Sequence, residues 1–190
     1  MRDKSVVLAD VCHAIAGDAL DEAASIAKRD YPFAPEAITK RSYGATESTR
    51  LFIRDGFIDR YTGDRLVFPP VLRILSQAMP NEFPFHPNWK TDLTHPSYWE
   101  VGATVDHVVP VTRGGADDES NWVTTSMARN SAKMNWTLKE LGWTLHPPGD
   151  IKHWDGLIGW FLDYTAAHPS TLTTSIKGWH RAAKSALAIT

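Results

Sequence analysis

In the stretch TVDHVVPVTRGGADDESNWVTTSMARNSAKMNW, residues 104–136, Asp106 and His107 stand side by side between branched apolar residues. Asn121 follows across an Arg-Gly-Gly loop, and Asn130 and Lys133 follow on an alanine-containing run. Together they supply a hard anionic oxygen, amide oxygens, a titratable imidazole and a cation. Such parts suit hydrolysis of a phosphodiester: a divalent ion held by the oxygens neutralises developing charge, and a neutral imidazole takes a proton from water. Each residue alone has a plainer reading. An Asp-His pair on a strand can simply be a satisfied pair, Asn121 a turn residue, Gly114-Gly115 a loose loop and Lys133 a solvated lysine. Order and spacing together are what point to a site.

To position these groups the chain needs a strand through Asp106-His107, a loop, a short second strand and a helix. Successive strand side chains point to opposite faces. For both residues to serve one site, the strand must bend or one group must reach around an edge. Asn130 falls near the helix start, with Lys133 one turn on.

Around this segment the pattern predicts helix over residues 5–30, with a stripe of Val7, Leu8, Val11 and Ile15, a break at Gly17 and Asp18 capping a second helix. A loop with Pro32 and Pro35 leads to a short helix in STRLFIRDGF. FIDRYTGDRLVFPP alternates and turns at Thr62-Gly63-Asp64, which predicts a hairpin closed by Pro69-Pro70. VLRILSQAM fits a further helix. Residues 80–101, rich in Pro and aromatics and without periodicity, predict a long ordered loop. The helix of the central segment is expected to run through WTLKELGW to Gly142, and two more helices follow in WDGLIGWFLDYTAAHP and TTSIKGWHRAAKSALA.

With 190 residues, 43% of them hydrophobic and 22% charged, the chain has the composition of one globular domain. A net charge of -2 means that any nucleic-acid partner must be met by local basic patches. Cys12 is the only cysteine, so neither an intramolecular disulfide nor a multi-cysteine zinc site can form. No run approaches the ~20 apolar residues of a membrane span, and a cytoplasmic protein without membrane contact is the expectation. The tryptophans at 89, 99, 122, 136, 143, 154, 160 and 179 read as core, and His86 and His95 as hydrogen-bonded loop residues. After Asp163 there is no acid, while Lys177, His180, Arg181 and Lys184 gather on about two helical turns. That face is either merely solvated or able to track phosphates.

The central segment resembles the HNH, or ββα-metal, nucleases, in a variant without zinc knuckles. The resemblance rests on Asp106-His107 on the first strand, Pro110, Gly114-Gly115 in the loop, Asn121 before the second strand, and Asn130 and Lys133 in the helix. RDGFIDRYTGDRL upstream is also similar to what precedes the motif in many members, so the likeness covers residues 50–140. It implies a metal-dependent endonuclease acting on DNA and leaving 5′-phosphate and 3′-hydroxyl ends. His107 would be the general base, Asn121 would brace the loop orienting it, and Asp106 and Asn130 would hold one Mg2+ or Mn2+. Arg113 and Lys133 would be phosphate contacts; Lys177, Arg181 and Lys184, outside the likeness, are further candidates on their charge alone. The implied fold is α+β, a ββα-metal core at residues 51–142 with a β-hairpin, wrapped by helices at 1–50 and 143–190 in a single domain. A homodimer fits an enzyme with one site per chain. A catalytically silent HNH-like module that only binds nucleic acid or protein is the alternative.

Many HNH proteins brace the hairpin against the helix with two Cys-x-x-Cys knuckles around zinc. Against that pattern, Asp59 and Thr62 stand at the first knuckle and Ser126 and Arg129 at the second. The expectation is no structural zinc, but a polar clasp in which Asp59 pairs with Arg129 and the two hydroxyls bond nearby.

Overall fold

The computed structural model describes residues 2–33 and 43–188. The chain divides into two compact units, Met1–Ile38 and Thr39–Thr190, where the sequence predicts a single domain. The first unit is a helical hairpin of α1 (Lys4–Ala16) and α2 (Leu20–Asp30). Asp3 caps α1, accepting from the Ser5 amide at 2.8 Å. The break lies where Gly17 predicts it, but Asp18 does not cap α2: it takes a left-handed φ of 58° and Ala19 holds the cap position. Of the stripe read from the sequence, Val7 is buried while Leu8 and Ile15 are exposed. Pro35 lies outside the described residues.

The second unit contains α3 (Ala45–Arg54), α4 (Pro69–Ala78), a short α5 (Ser97–Glu100), β1 (Ala103–His107), β2 (Trp122–Ser126), α6 (Met127–Lys133), α7 (Leu138–Leu141), α8 (Ile158–Ala167) and α9 (Thr174–Leu187). The fold is thus α+β, with a small two-stranded antiparallel sheet among helices. Glu47 caps α3 through the Gly44 amide, 2.9 Å. Pro69 and Pro70, expected to close a hairpin, instead open α4, where a missing N–H costs nothing. The small residues Ala182, Ala183 and Ala186 are buried on α9, which packs against α3. Phe52, Phe57, Phe68 and Phe161 form the aromatic centre of the core.

Two expected elements change. Residues 57–66 do turn back on themselves, but as one antiparallel bridge, Ile58 with Arg65, rather than two strands. Asp59 N to Asp64 O at 2.8 Å and Leu66 N to Phe57 O at 2.8 Å close the turn. The helix expected to reach Gly142 stops at Lys133, because Met134 adopts φ 48° and Thr137 starts α7 as a new capping box with Glu140. Of residues 80–101, expected as one loop, Ser97–Glu100 form α5 while 80–96 are a loop. His86 and His95 accept hydrogen bonds from the Asn88 and Ser97 amides within it. Of the tryptophans read as core, Trp89, Trp136 and Trp160 are instead exposed. Among the described residues no helix is long and apolar enough to cross a membrane.

Strand β2 is the axis of the unit. One edge pairs with β1, in the register Ala103 with Ser126 through His107 with Trp122. The other edge has no strand, yet every residue of β2 is buried. Its outward backbone groups are bonded by the segment just before it in space. Arg54 donates to Trp122 O (2.7 Å), Asp55 Oδ2 accepts from Thr124 N (2.8 Å), Arg60 N donates to Thr124 O (2.8 Å) and Asp59 Oδ2 accepts from Ser126 N (2.9 Å). Buried backbone groups must be paired somewhere, and here two carboxylates, a guanidinium and one backbone amide do it.

The anticipated Asp59–Arg129 clasp does not form, and Asp59 is held by other partners. Asp59, 2% exposed, also accepts from Tyr61 N (2.9 Å) and Thr125 Oγ1 (3.0 Å), so its oxygens are committed to β2 and its own turn. No Asp59–Arg129 ion pair forms; the Arg129 guanidinium lies over the Trp143 ring, 5.0 Å from its centroid. Ser126 Oγ caps α6 through the Arg129 amide, and Thr62 Oγ1 accepts from Asp64 N inside the turn. Bonds to a buried backbone outcompete a pair with a half-exposed arginine. Asp59→Ala, which strands three donors, should cost about 2–4 kcal/mol in denaturant unfolding. Arg129→Ala should stay within about 1 kcal/mol; equal losses in both would restore the ion-pair clasp.

Candidate active site

The free edge of β1 is closed by α6. Ala103 N donates to Val67 O at 3.0 Å, and the next two outward carbonyls are taken by helix side chains. Asn130 Nδ2 donates to Val105 O (3.2 Å) and Lys133 Nζ to His107 O (2.7 Å). One turn of α6 thus brings Asn130 and Lys133 to the end of β1 where Asp106 and His107 sit. Ser126 sets this placement, because it is both the last residue of β2 and the cap of α6.

Lys133 is not the solvated or phosphate-binding lysine expected. It is 0% exposed, and its ammonium stands 3.1 Å from Asp106 Oδ2. Tyr61 donates its hydroxyl to the same oxygen at 2.7 Å. Burial, reinforced by the Asp106 carboxylate, drives the Tyr61 hydroxyl far above the ordinary phenol range, so it remains a donor. Asp106 Oδ1 and Asn130 Oδ1 accept no hydrogen bond from the described residues. One anionic and one amide oxygen therefore remain without a partner among the described residues, donor types that would suit Mg2+ or Mn2+ better than zinc. Lys133 already offsets part of the Asp106 charge, so these two ligands alone would hold such an ion weakly.

His107 points to the other face of the strand, as the pleat requires. It is 5% exposed, enclosed by Trp122 and by Tyr43, whose ring centroid is 6.2 Å away. Its Nε2 lies 2.8 Å from Asp117 Oδ1 and 2.9 Å from the Trp122 indole nitrogen. One nitrogen cannot donate to the carboxylate and accept from the indole in the same tautomer. With the proton on Nε2 the ring donates to Asp117, the lone pair lies on Nδ1 and the Trp122 N–H has no acceptor; with the proton on Nδ1, Nε2 accepts from Trp122. In the first tautomer Nδ1, which makes no hydrogen bond with the described residues, is the nitrogen that could act as a base.

Asn121 holds the intervening loop. Its Oδ1 accepts from Val109 N (2.9 Å), and its Nδ2 donates to Val109 O and Ala116 O (both 2.8 Å). Gly115 makes this bracket possible, since a Cβ there would stand 1.9 Å from Val109 O and 2.8 Å from Asn121 Nδ2. Asp117 leaves the bracket one residue after Ala116, so the same three bonds place the carboxylate that meets His107.

Other expected site residues are not gathered here. Arg113 pairs with Glu140 on α7 at 3.3 Å, so a phosphate would have to compete for it. Lys177, Arg181 and Lys184 are exposed on one stripe of α9 at i, i+4 and i+7. Tyr61 and Asp117 were not anticipated. Tyr61 lay between the two residues given to the clasp, and Asp117 among the acids of GGADDES; neither carries a signal without the fold.

Comparison of the chain with protein-family models, curated proteins and solved structures gives no match. The buried pair makes a direct prediction. Lys133→Met removes one partner and leaves Asp106 uncompensated, which should cost about 3–5 kcal/mol of unfolding free energy. Equilibrium urea unfolding is the measurement, and a loss below about 1 kcal/mol would mean that solvent already neutralises Asp106.

Proposed function

We propose that this chain is a metal-dependent endonuclease of the HNH type, built on a ββα-metal core, that hydrolyses DNA phosphodiester bonds. One observation carries the reading: Asp106-His107, Asn121, Asn130 and Lys133, spread over 28 positions, are drawn to a single strand end by a strand–loop–strand–helix path. A satisfied surface pair needs no such convergence. His107 Nδ1 would take the proton of the attacking water while Asp117 holds Nε2–H and fixes the ring. Asn121 keeps the loop, and through it Asp117, in register. Asp106 and Asn130 would hold one Mg2+ or Mn2+, which would supply charge neutralisation at the phosphate when bound. Breaking the bond to the 3′ oxygen leaves 5′-phosphate and 3′-hydroxyl ends. The α9 stripe of Lys177, Arg181 and Lys184 would follow the DNA backbone and make affinity salt-dependent. Two chains, each with one site, would be needed to cut both strands at once.

A second reading, a silent module that binds nucleic acid or protein, is favoured by one feature. His107 is shielded and Lys133 already offsets part of the Asp106 charge, so the buried pair stands without a metal. Catalysis requires the Asn121-braced loop or Tyr43 to yield when DNA binds.

Supercoiled plasmid separates the two. The protein should nick or linearise it with magnesium or manganese and not with EDTA. His107→Ala, folded and still binding DNA, should lose about 100-fold or more of the cleavage rate. Metal-independent retention of DNA without any cleavage would select the silent module, and wild-type nicking by His107→Ala would remove His107 as the base.

A further inference from the structure

A hollow of about 390 Å3 lies against β1 at Ala103, Thr104 and Val105. Its walls include the rings of Tyr43, Phe85, Trp89, Tyr98 and Trp179 and the side chain of Arg73. Trp89 stands edge-on to Tyr98 at 5.7 Å, Phe85 lies 5.0 Å from Tyr98, and the Arg73 guanidinium is 3.4 Å above the Phe85 ring. Among the described residues, Arg73 Nη1 is the one buried side-chain nitrogen or oxygen without a hydrogen-bond partner. A buried N–H with no acceptor is costly, and a native fold that keeps one needs a reason. Tyr43 is a wall of the hollow and also a neighbour of His107. The hollow and the candidate base are one aromatic ring apart.

We propose that this hollow receives a single unpaired nucleobase, swung out of the DNA strand beside the bond to be cut. The proposal rests on the nuclease reading and names the substrate feature that the same site would select. Four properties of the hollow fit a base. Aromatic walls offer stacking to the two π faces that every base has. Arg73 lines the hollow, and its guanidinium can donate to a base carbonyl or ring nitrogen. The volume, near the lower end of the roughly 300–1,000 Å3 of ligand pockets, suits a base or nucleoside and not a duplex. A base lodged behind Tyr43 would bring a neighbouring phosphate toward His107. Extrusion costs least where a base is already mismatched or single-stranded, so this protein would favour DNA carrying an unpaired base.

The test measures binding without cleavage, using full-length His107→Ala and, as a second parent, wild type in EDTA. Each is titrated against a fully paired duplex and the same duplex with one mismatched base. The mismatched duplex should bind about tenfold more tightly. Trp89→Ala and Arg73→Met, checked for folding by thermal melts, should each abolish that preference and leave affinity for the paired duplex unchanged. No preference in either parent, or a preference that survives both substitutions, overturns the proposal. So does an apolar fluorescent dye that binds wild type and not Trp89→Ala when base pairing has no effect, because the hollow would then belong to an apolar ligand. Plasmid nicking without mismatch preference would sink the hollow alone; mismatch preference without nicking would sink the nuclease reading alone.

Discussion

Strand β2 is buried over its whole length but paired on one edge only. A buried strand edge leaves backbone groups that water cannot reach, and each unpaired group costs about as much as a lost hydrogen bond. The chain meets this constraint with Arg54 at the end of α3, Asp55 beside it and Asp59 in the turn that follows. Asp55 is 0% exposed and is itself neutralised by Arg60 at 2.9 Å and Arg54 at 3.0 Å. Charges usually kept at the surface are here part of the sheet. Remove them and β2 has no reason to lie between this segment and β1.

Everything at the candidate site hangs from that strand. Trp122 at its start faces His107, and Ser126 at its end caps α6. The helix then spends Asn130 and Lys133 on the far edge of β1, so the two-stranded sheet is closed by side chains on both sides. The α6 side of the site is held by the same bonds that satisfy the edge of β1. A fully buried Lys133 beside Asp106 would be a poor choice for stability alone, since apolar replacements of buried ion pairs are often neutral or better. Its three attachments, to Asp106, to the His107 carbonyl and to the face of Tyr61, fix where the acidic group stands.

The two halves of the candidate chemistry occupy opposite faces of β1. Asp106 belongs to the α6 side with Tyr61 and Lys133, and His107 to the loop side with Asp117, Trp122 and Tyr43. The aromatic loop of residues 80–96 lines the hollow on the His107 side through Phe85 and Trp89. Its lack of periodicity follows from this role: it lays rings against one another and buries no regular face.

Local patterns were legible because they depend on near neighbours. The strand through Asp106-His107, the second strand, the helix bearing Asn130 and the termination at Gly142 all follow from alternation and glycine. The loop bracket at Asn121, which only the resemblance implies, is likewise short in sequence, since its bonds run to the loop that precedes it. What the sequence could not decide was partnership across distance. Asp59 could have met Arg129 by charge alone; only the tertiary fold brings the unpaired amide of Ser126 to it first. Lys133 is solvated on any isolated helix, and becomes a buried cation because α6 is laid against the edge of β1. Tyr61 and Asp117 sit among equally suitable residues, and folding singles them out by bringing Asp106 and His107 to them. Sequence determined which groups were available and which elements carry them. Tertiary structure decided which buried donors and acceptors went unmet by secondary structure, and those unmet groups chose the partners.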